Sequence, residues 1–198
     1  KCLSETGFAF FFAPLFHPAM KHAVGPRREI RIRTVFNILG PLTNPANAEA
    51  QMMGVYDVRL LDTVPEVLVN LGVRRAMIVA SQDGLDEVSI SAPTQVAEVQ
   101  DGHIRRYTIE PEQLGLKRQP LSSVVGGSPE ENAKIIQEIF QGQQGGARDI
   151  VLANAGASLY IAGKAGSWQE GIKLAEHLLD SGAVWEKLQQ IRRVTEEL

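Results

Sequence analysis

The stretch RRAMIVAS, residues 74–81, constrains the fold more than any other part of the sequence. Its apolar residues follow one another without the polar alternation that marks a strand with one face in water. A continuous apolar run of this length is typical of a strand that is covered on both faces. The stretch therefore predicts a central strand, and the helical segments that alternate with the strands along the chain indicate a mixed α/β fold.

Neighbouring segments predict the other strands that such a fold needs. Residues 50–57, AQMMGVYD, are predicted to form a strand, and residues 58–72 place apolar side chains at helical spacing before Gly72. Residues 94–109 alternate apolar and polar side chains around Asp101–Gly102, a dipeptide that favours a two-residue hairpin turn. This last segment therefore predicts two antiparallel strands.

Further helices are predicted before and after these strands. The apolar spacing of residues 33–45 is compatible with one or two helical turns that stop at Gly40–Pro41 and Asn44–Pro45. Ser128 and Glu131 form a capping-box pattern at the start of a later helix. The last helical segment, residues 167–198, is predicted to divide into two helices at Ser181–Gly182. Because no long linker or low-complexity segment interrupts the sequence, one mixed α/β domain is predicted.

Composition and charge narrow the class of protein. Among 198 residues, 44% are hydrophobic and 22% are charged, as in ordinary soluble globular proteins. The net charge of −3 argues against a nucleic-acid-binding protein, although five basic residues fall between positions 21 and 33. The single cysteine, Cys2, excludes an internal disulfide framework and favours a reducing, cytoplasmic compartment. The apolar run FAFFFAPLF is too short for a membrane span, so no membrane partner is expected.

Two adjacent carboxylates, Asp86 and Glu87, follow the predicted central strand. Open α/β sheets place their ligand sites at the carboxyl ends of strands, and Gly84 allows a turn that brings both side chains toward one point. Carboxylates, with phosphate oxygens and water, are how proteins usually hold Mg²⁺. Taken alone, such a pair is more often a solvated acidic turn.

Two longer motifs resemble a known family. FFFAPLFHPAMKHAVGPRREIRIRTVFNILGPLTNPA, residues 10–46, and DGLDEVSISAPTQVAE, residues 83–98, resemble the anthranilate phosphoribosyltransferases. The resemblance implies the large domain of the nucleoside phosphorylase/phosphoribosyltransferase fold, an α/β domain with a mixed, mainly parallel central sheet flanked by helices. It covers only the C-terminal portion of family members, so residues 1–198 are expected to be the C-terminal part of the glycosyltransferase-type α/β domain.

Several segments of the family have no counterpart in the sequence. They are the N-terminal helical domain and the phosphate-binding segments GTGGD, Asn-x-Ser-Thr and KHGN. We therefore expect the 198 residues alone to show negligible transferase activity. Family members are commonly homodimers through the helical region, and the resemblance implies a homodimer for the intact protein.

The reaction that the resemblance implies transfers the phosphoribosyl group of phosphoribosyl pyrophosphate to anthranilate, in tryptophan biosynthesis. The products are N-(5-phosphoribosyl)anthranilate and pyrophosphate. Asp86 and Glu87 match the family's metal-associated pair, which implies Mg²⁺ as the cofactor. No catalytic side chain is predicted, because an aromatic amine is already unprotonated at neutral pH and does not require a strong general base.

The first motif supplies the residues that the resemblance assigns to anthranilate. Arg27 matches the family's anthranilate-binding arginine, and a guanidinium can donate two N–H groups to one carboxylate. His17, Met20, Pro14 and Gly40 match positions that line the path of the aromatic acid. From the residues alone, His17 fits a packing role and Gly40 a helix stop equally well, and Arg27 fits a solvated basic face.

Two other functions remain open from the sequence. A related pyrimidine nucleoside phosphorylase would cleave a nucleoside with phosphate, and a non-catalytic relative would use its arginines on nucleic-acid phosphates. The surroundings of Arg27 and the DGLDE segment favour the transferase, because that reaction needs both a carboxylate clamp and a diphosphate-bound metal.

Three residues depart from the family pattern. Arg31 stands where a glycine is common, near Arg27, and Ala80 and Ser81 replace a frequent His-Gly pair beside the acidic residues. None of the three is a residue to which the resemblance assigns a binding role.

Overall fold

A computed structural model gives the fold and describes residues 1–16, 25, 29 and 36–197. The chain forms two compact units. The first comprises residues 1–47 and 187–198, and the second comprises residues 48–186. The assignment of residues 1–198 to one domain stays a prediction.

Short helices make up much of the described part of the first unit. They are α1 (Cys2–Thr6), α2 (Ala13–Phe16) and α3 (Phe36–Leu42). The predicted helix stop at Gly40–Pro41 is wrong, because α3 continues through both residues to Leu42. Pro41 has no backbone N–H to donate, but beyond it the Thr43 N–H still donates to the Leu39 carbonyl at 3.0 Å, which closes the helical turn.

A four-stranded sheet is the centre of the second unit. Its strands, in order across the sheet, are β1 (Ala50–Gly54), β2 (Arg75–Ser81), β3 (Thr94–Gln100) and β4 (His103–Ile109). β1 is parallel to β2, whereas β3 is antiparallel to both β2 and β4. The predicted mixed α/β class is confirmed. Among these four described strands, the pairing is parallel once and antiparallel twice rather than mainly parallel.

Helices flank the sheet, as the fold class requires. They are α4 (Leu60–Asn70), α5 (Pro129–Phe140), α6 (Gly146–Ile161) and α7 (Trp168–Asp180), with short 3-10 turns at Pro111–Leu114 and Leu121–Val124. The last helix, α8 (Ala183–Glu196), begins in the second unit, and its residues from 187 onward belong to the first. α4 packs on β2 and β3, and α6 packs on β1 and β2. Gly182, with φ of 78°, separates α7 from α8, which confirms the division predicted at Ser181–Gly182.

β2 is a central strand with both faces buried. Met77 and Val79 are fully buried in the core that β2 shares with α6 and α7. Ala76 and Ile78 are also fully buried and, because side chains alternate along a strand, lie on the opposite face. This double burial is the physical reason for the uninterrupted apolar run in the sequence.

The hairpin predicted at Asp101–Gly102 joins β3 to β4. Gln100 pairs with His103, which leaves a two-residue turn between the strands. Asp101 has φ of 46° and Gly102 has φ of 83°, the left-handed geometry that matches the twist of a hairpin. The prediction is confirmed.

The capping box predicted at the start of α5 is also confirmed. The Ser128 N–H donates to the Glu131 carboxylate at 2.7 Å, and the Glu131 N–H donates to Ser128 Oγ at 3.3 Å. These bonds satisfy N–H groups that have no partner inside the helix. No helix in the described part of the chain combines the length and apolarity that crossing a membrane requires.

Candidate functional site

A tight turn follows β2 and carries the two predicted metal ligands. We call residues 82–88 the acidic loop. The Ser81 N–H donates to the Leu85 carbonyl at 3.0 Å, and the Gly84 N–H donates back to the Ser81 carbonyl at 3.1 Å. Gly84 has φ of 91°, a conformation that glycine adopts at no steric cost. The turn therefore brings the chain back toward the end of β2 before it reaches Asp86 and Glu87.

Asp83 closes the acidic loop from inside. Its carboxylate accepts hydrogen bonds from Ser81 Oγ and Ser89 Oγ, each at 2.5 Å, and from Ser91 Oγ. Burial by itself raises the pKa of the Asp83 carboxyl, but these bonds and one from the Leu85 N–H outweigh it and hold the pKa below its usual range. Asp83 is thus ionised and structural, and it gathers hydroxyl groups from both ends of the loop.

Asn154, on α6, holds the other end of the acidic loop. Asn154 Nδ2 donates to the Val88 carbonyl at 3.0 Å, and the Val88 N–H donates to Asn154 Oδ1 at 3.0 Å. Asn154 Nδ2 also donates to the Ile150 carbonyl at 2.9 Å, one turn earlier in the same helix. The backbone N–H and the backbone carbonyl of Val88 are therefore both paired with the Asn154 side chain.

Gly54, the last residue of β1, lies against the backbone of the acidic loop. A Cβ atom added to Gly54 would overlap the carbonyl oxygen of Asp86. A glycine inside a strand is typical of a place where another backbone approaches closely. The end of β1 thus supports the loop directly below Asp86.

Asp86 and Glu87 are exposed and face a common cavity of about 430 Å³. We call this space the acidic cavity. Within the described residues, neither carboxylate has a hydrogen-bond or ion-pair partner. The cavity is lined by Met52, Gly54, Val79, Asp86, Glu87, Ile150, Val151, Asn154, Ala155 and Ser158. Among the described residues that line it, the only carboxylates are the two predicted from the sequence.

The donor set suits Mg²⁺ that also binds a phosphorylated ligand. In the described part of the chain, no three histidine, cysteine, aspartate or glutamate side chains come together as a metal cluster. An all-protein metal cage is therefore not formed by these residues. Mg²⁺ is commonly held by one or two carboxylates, with phosphate oxygens and water completing its octahedron. Asp86 and Glu87 provide such a pair.

The residues predicted to bind anthranilate lie elsewhere in the chain. Arg27, His17 and Met20 are outside the described residues. Pro14 belongs to α2, and Gly40 lies on the exposed surface of α3, so both are in the first unit. The metal pair belongs to the second unit. The roles of these five residues stay predictions.

Asp83, Asn154 and Gly54 were not singled out by sequence reasoning. Asn154 has the clearest signal, because it is a polar residue in the apolar stretch IVLANAGA, and asparagine disfavours a helix interior. Gly54 interrupts a predicted strand, which is a weaker signal for close approach of another backbone. Ser81, a departure from the family pattern, supplies one of the hydroxyls that bind Asp83.

A second cluster of titratable groups stabilises the scaffold behind the site. Glu98, only 6% exposed on β3, accepts hydrogen bonds from Arg105 at 2.9 Å, Tyr107 at 3.0 Å and Tyr160 at 2.8 Å. Burial tends to raise the pKa of Glu98, but these three donors hold it below the usual range. Burial, together with the Glu98 charge, raises the pKa of Tyr107. The cluster links β3 and β4 to α6, the helix that carries Asn154.

A family model that covers most of the chain places it in a class of transferases. Residues 1–185 match the model of the glycosyl transferase family, a/b domain, and the chain belongs to that family.

Particular relatives carry a more specific name. The chain is 53% identical to the anthranilate phosphoribosyltransferase of Brevibacillus brevis over 98% of its own length and 57% of that protein. Its fold is similar to that of the Thermus thermophilus anthranilate phosphoribosyltransferase, with a TM-score of 0.87, 42% identity, and coverage of 97% of this chain and 56% of that one. The chain thus spans a little over half the length of the relatives that it matches.

The yeast enzyme of the same name gives a further comparison. The Saccharomyces cerevisiae anthranilate phosphoribosyltransferase, solved in complex with PRPP and Mg, superposes with a TM-score of 0.91 at 29% identity. The match covers 100% of this chain and 57% of that one.

Proposed function

We propose that this chain takes part in the transfer of a phosphoribosyl group from phosphoribosyl pyrophosphate to anthranilate. It would do so together with a counterpart of the part of its relatives that the match does not cover. The products would be N-(5-phosphoribosyl)anthranilate and pyrophosphate, a step of tryptophan biosynthesis. The observation that carries the proposal is the acidic loop, which presents two carboxylates without described partners to one cavity. The similarity to named anthranilate phosphoribosyltransferases supports it.

Asp86 and Glu87 would hold Mg²⁺ against the diphosphate of the donor substrate. When bound, Mg²⁺ would neutralise charge on the pyrophosphate leaving group. The contribution of the chain is to keep the two carboxylates side by side without a competing cation among the described residues. Two neighbouring carboxylates repel one another, and a divalent cation bound between them relieves that repulsion. The acidic loop is thus suited to bind metal and phosphate together.

Arg27 would bind the acceptor substrate. Anthranilate carries a carboxylate, and a guanidinium can donate two parallel N–H groups to it. His17, Met20, Pro14 and Gly40 would line the path of the aromatic ring. The amine of anthranilate is unprotonated at neutral pH, so none of these residues is assigned the role of a general base.

The intact protein is proposed to be a cytoplasmic homodimer that does not act on nucleic acid or membranes. The net charge of −3 supports the absence of a nucleic-acid partner. The dimer is proposed from the family resemblance alone.

A chimera tests the proposed function. The chain would replace the matching portion of the Brevibacillus brevis relative, which restores the length that the match lacks. Anthranilate consumption, followed by its fluorescence with Mg²⁺ and phosphoribosyl pyrophosphate, should occur with the chimera and be negligible with the 198-residue chain alone. An inactive but folded chimera, or phosphorolysis of thymidine or uridine in place of anthranilate consumption, would overturn the proposal.

A further inference from the structure

We infer that Asn154 is a positioning residue that fixes the acidic loop, so that Asp86 and Glu87 face the acidic cavity before a metal binds. The inference rests on the proposed function for the nature of the ligand, a divalent cation carrying a diphosphate. Asn154 itself is not assigned contact with that ligand. It acts through the backbone of Val88, the residue that follows Glu87.

The hydrogen bonds of Asn154 have the geometry of a clamp. Its carboxamide accepts from the Val88 N–H and donates to the Val88 carbonyl, each at 3.0 Å. Two bonds to the same residue fix both its distance from the helix and its rotation. A single bond would leave the rotation free, and with it the direction of the preceding side chain. The clamp therefore determines where Glu87 points.

Val88 marks the boundary between the core and the acidic cavity. It is fully buried, whereas Glu87 immediately before it is exposed. Asn154 lies on this boundary too, because it lines the cavity while bonding to Val88. The clamp thus acts at the position where the loop passes from the solvent side into the core.

α6 is a firm support for the clamp. Trp168 Nε1 donates to the Ala153 carbonyl at 2.9 Å in a buried contact, one residue before Asn154. Gly156 and Gly171 bring the backbones of α6 and α7 so close that a Cβ on either would clash. Tyr160, further along α6, is tied to Glu98 on β3. The position of Asn154 is therefore set independently of the loop.

Helix stability alone does not account for an asparagine at this position. Alanine is the better helix former, and an asparagine in a helix interior is unfavourable unless its side chain finds partners. The partners here are in the acidic loop, apart from the Ile150 carbonyl. Asn154 thus stabilises the acidic loop more than it stabilises α6.

Asn132 provides a matched control. Its side chain accepts from the Gly127 N–H at 2.8 Å and donates to the Gly127 carbonyl at 3.2 Å, so it makes the same two-bond clamp. That clamp holds the turn before α5, not the acidic loop. Asn132→Ala removes the same pair of bonds from a different and more exposed loop, so it controls for the loss of a side-chain clamp as such.

The test measures metal binding in the chimera described above. Mn²⁺ is a paramagnetic substitute for Mg²⁺, and its binding can be followed by electron paramagnetic resonance. It would be titrated, in the presence of pyrophosphate, into three proteins: the unsubstituted chimera, its Asn154→Ala variant and its Asn132→Ala variant. We expect Asn154→Ala to weaken Mn²⁺ binding by about 10-fold or more, as loss of a residue that orients metal ligands usually does. Asn132→Ala should leave Mn²⁺ affinity unchanged. Steady-state kinetics of Asn154→Ala should show a raised KM for phosphoribosyl pyrophosphate with an unchanged KM for anthranilate.

A second substitution covers the case in which Asn154→Ala does not fold. Asn154→Ser can still donate to the Ile150 carbonyl, as Ser158 does to the Asn154 carbonyl at 2.9 Å, but it cannot span both polar groups of Val88. It should weaken Mn²⁺ binding as alanine does. Unchanged Mn²⁺ affinity in the folded Asn154 variants, or equal weakening by Asn132→Ala, would overturn the inference. Weakened Mn²⁺ binding in a chimera that lacks transferase activity would uphold the inference and overturn the proposed function instead.

Discussion

Gly54 at the end of β1 lies so close to the Asp86 carbonyl oxygen that no side chain fits between them. Gly54→Ala should therefore displace the acidic loop or the strand end. Forcing an atom into a packed contact costs about 1–3 kcal/mol, and we expect the free energy of unfolding to fall by that amount. Urea unfolding of the 198-residue chain measures it.

Gly166 is the control for this substitution. A Cβ there would meet only the flexible end of the Glu170 side chain, 3.0 Å away, so Gly166→Ala should be nearly neutral. Equal stability of Gly54→Ala and the unsubstituted chain would show that the loop does not rest on β1.

Asp83 should make the stability of the second unit depend on pH. Its folded-state pKa is lowered, so its contribution is present above the unfolded pKa of about 3.9 and is lost as the pH falls through the folded-state pKa. Asp83→Asn should therefore destabilise the chain near neutral pH, and the difference from the unsubstituted chain should shrink under acid conditions. Urea unfolding over a pH series measures this, and a difference that stays constant with pH would contradict the role given to the carboxylate.

Glu98 should contribute to stability mainly by satisfying two tyrosine hydroxyls. Glu98→Ala leaves the half-buried Tyr107 and Tyr160 hydroxyls without their acceptor, and because water can reach such groups in part, we expect a loss near the lower end of the range for unsatisfied groups, about 1 kcal/mol. Arg105→Ala removes an exposed guanidinium that also lies 4.7 Å from the centre of the Tyr107 ring, but it leaves Glu98 both tyrosine donors, so its effect should be smaller. Thermal unfolding of both variants distinguishes them, and a loss for Arg105→Ala as large as that for Glu98→Ala would contradict this view.

Arg27→Ala should weaken anthranilate binding far more than binding of phosphoribosyl pyrophosphate. The expected cause is loss of the two-bond guanidinium–carboxylate contact, which a point charge reproduces poorly. Arg27→Lys should therefore recover only part of the affinity. KM values for both substrates in the chimera decide the question, and equal increases for the two would remove Arg27 from the acceptor site.

The parts of the fold that were predicted depend on neighbours in sequence. The apolar run of β2 and the Asp101–Gly102 turn are local patterns with one dominant physical solution each. The helix through Gly40–Pro41 was missed because glycine and proline predict a helix end from their local preferences alone. Those preferences do not include the hydrogen bond from the Thr43 N–H to the Leu39 carbonyl, which closes the turn.

The candidate site was predicted only in part, for a related reason. Asp86 and Glu87 stand next to each other in a recognisable motif. Asn154 is 66 positions from Val88, and the sequence contains no local sign of which backbone group its side chain meets. The hydroxyl partners of Asp83 likewise come together only once the turn has formed.

The acidic loop itself provides the most direct test of the proposed function. In the chimera, Asp86→Asn combined with Glu87→Gln keeps the shape of both side chains and removes their charge. The KM for phosphoribosyl pyrophosphate and the Mg²⁺ concentration needed for half-maximal rate should both rise about 10-fold or more, while the KM for anthranilate stays unchanged. Equal losses for both substrates, or an unchanged Mg²⁺ dependence, would contradict the assignment of this loop to the metal–diphosphate.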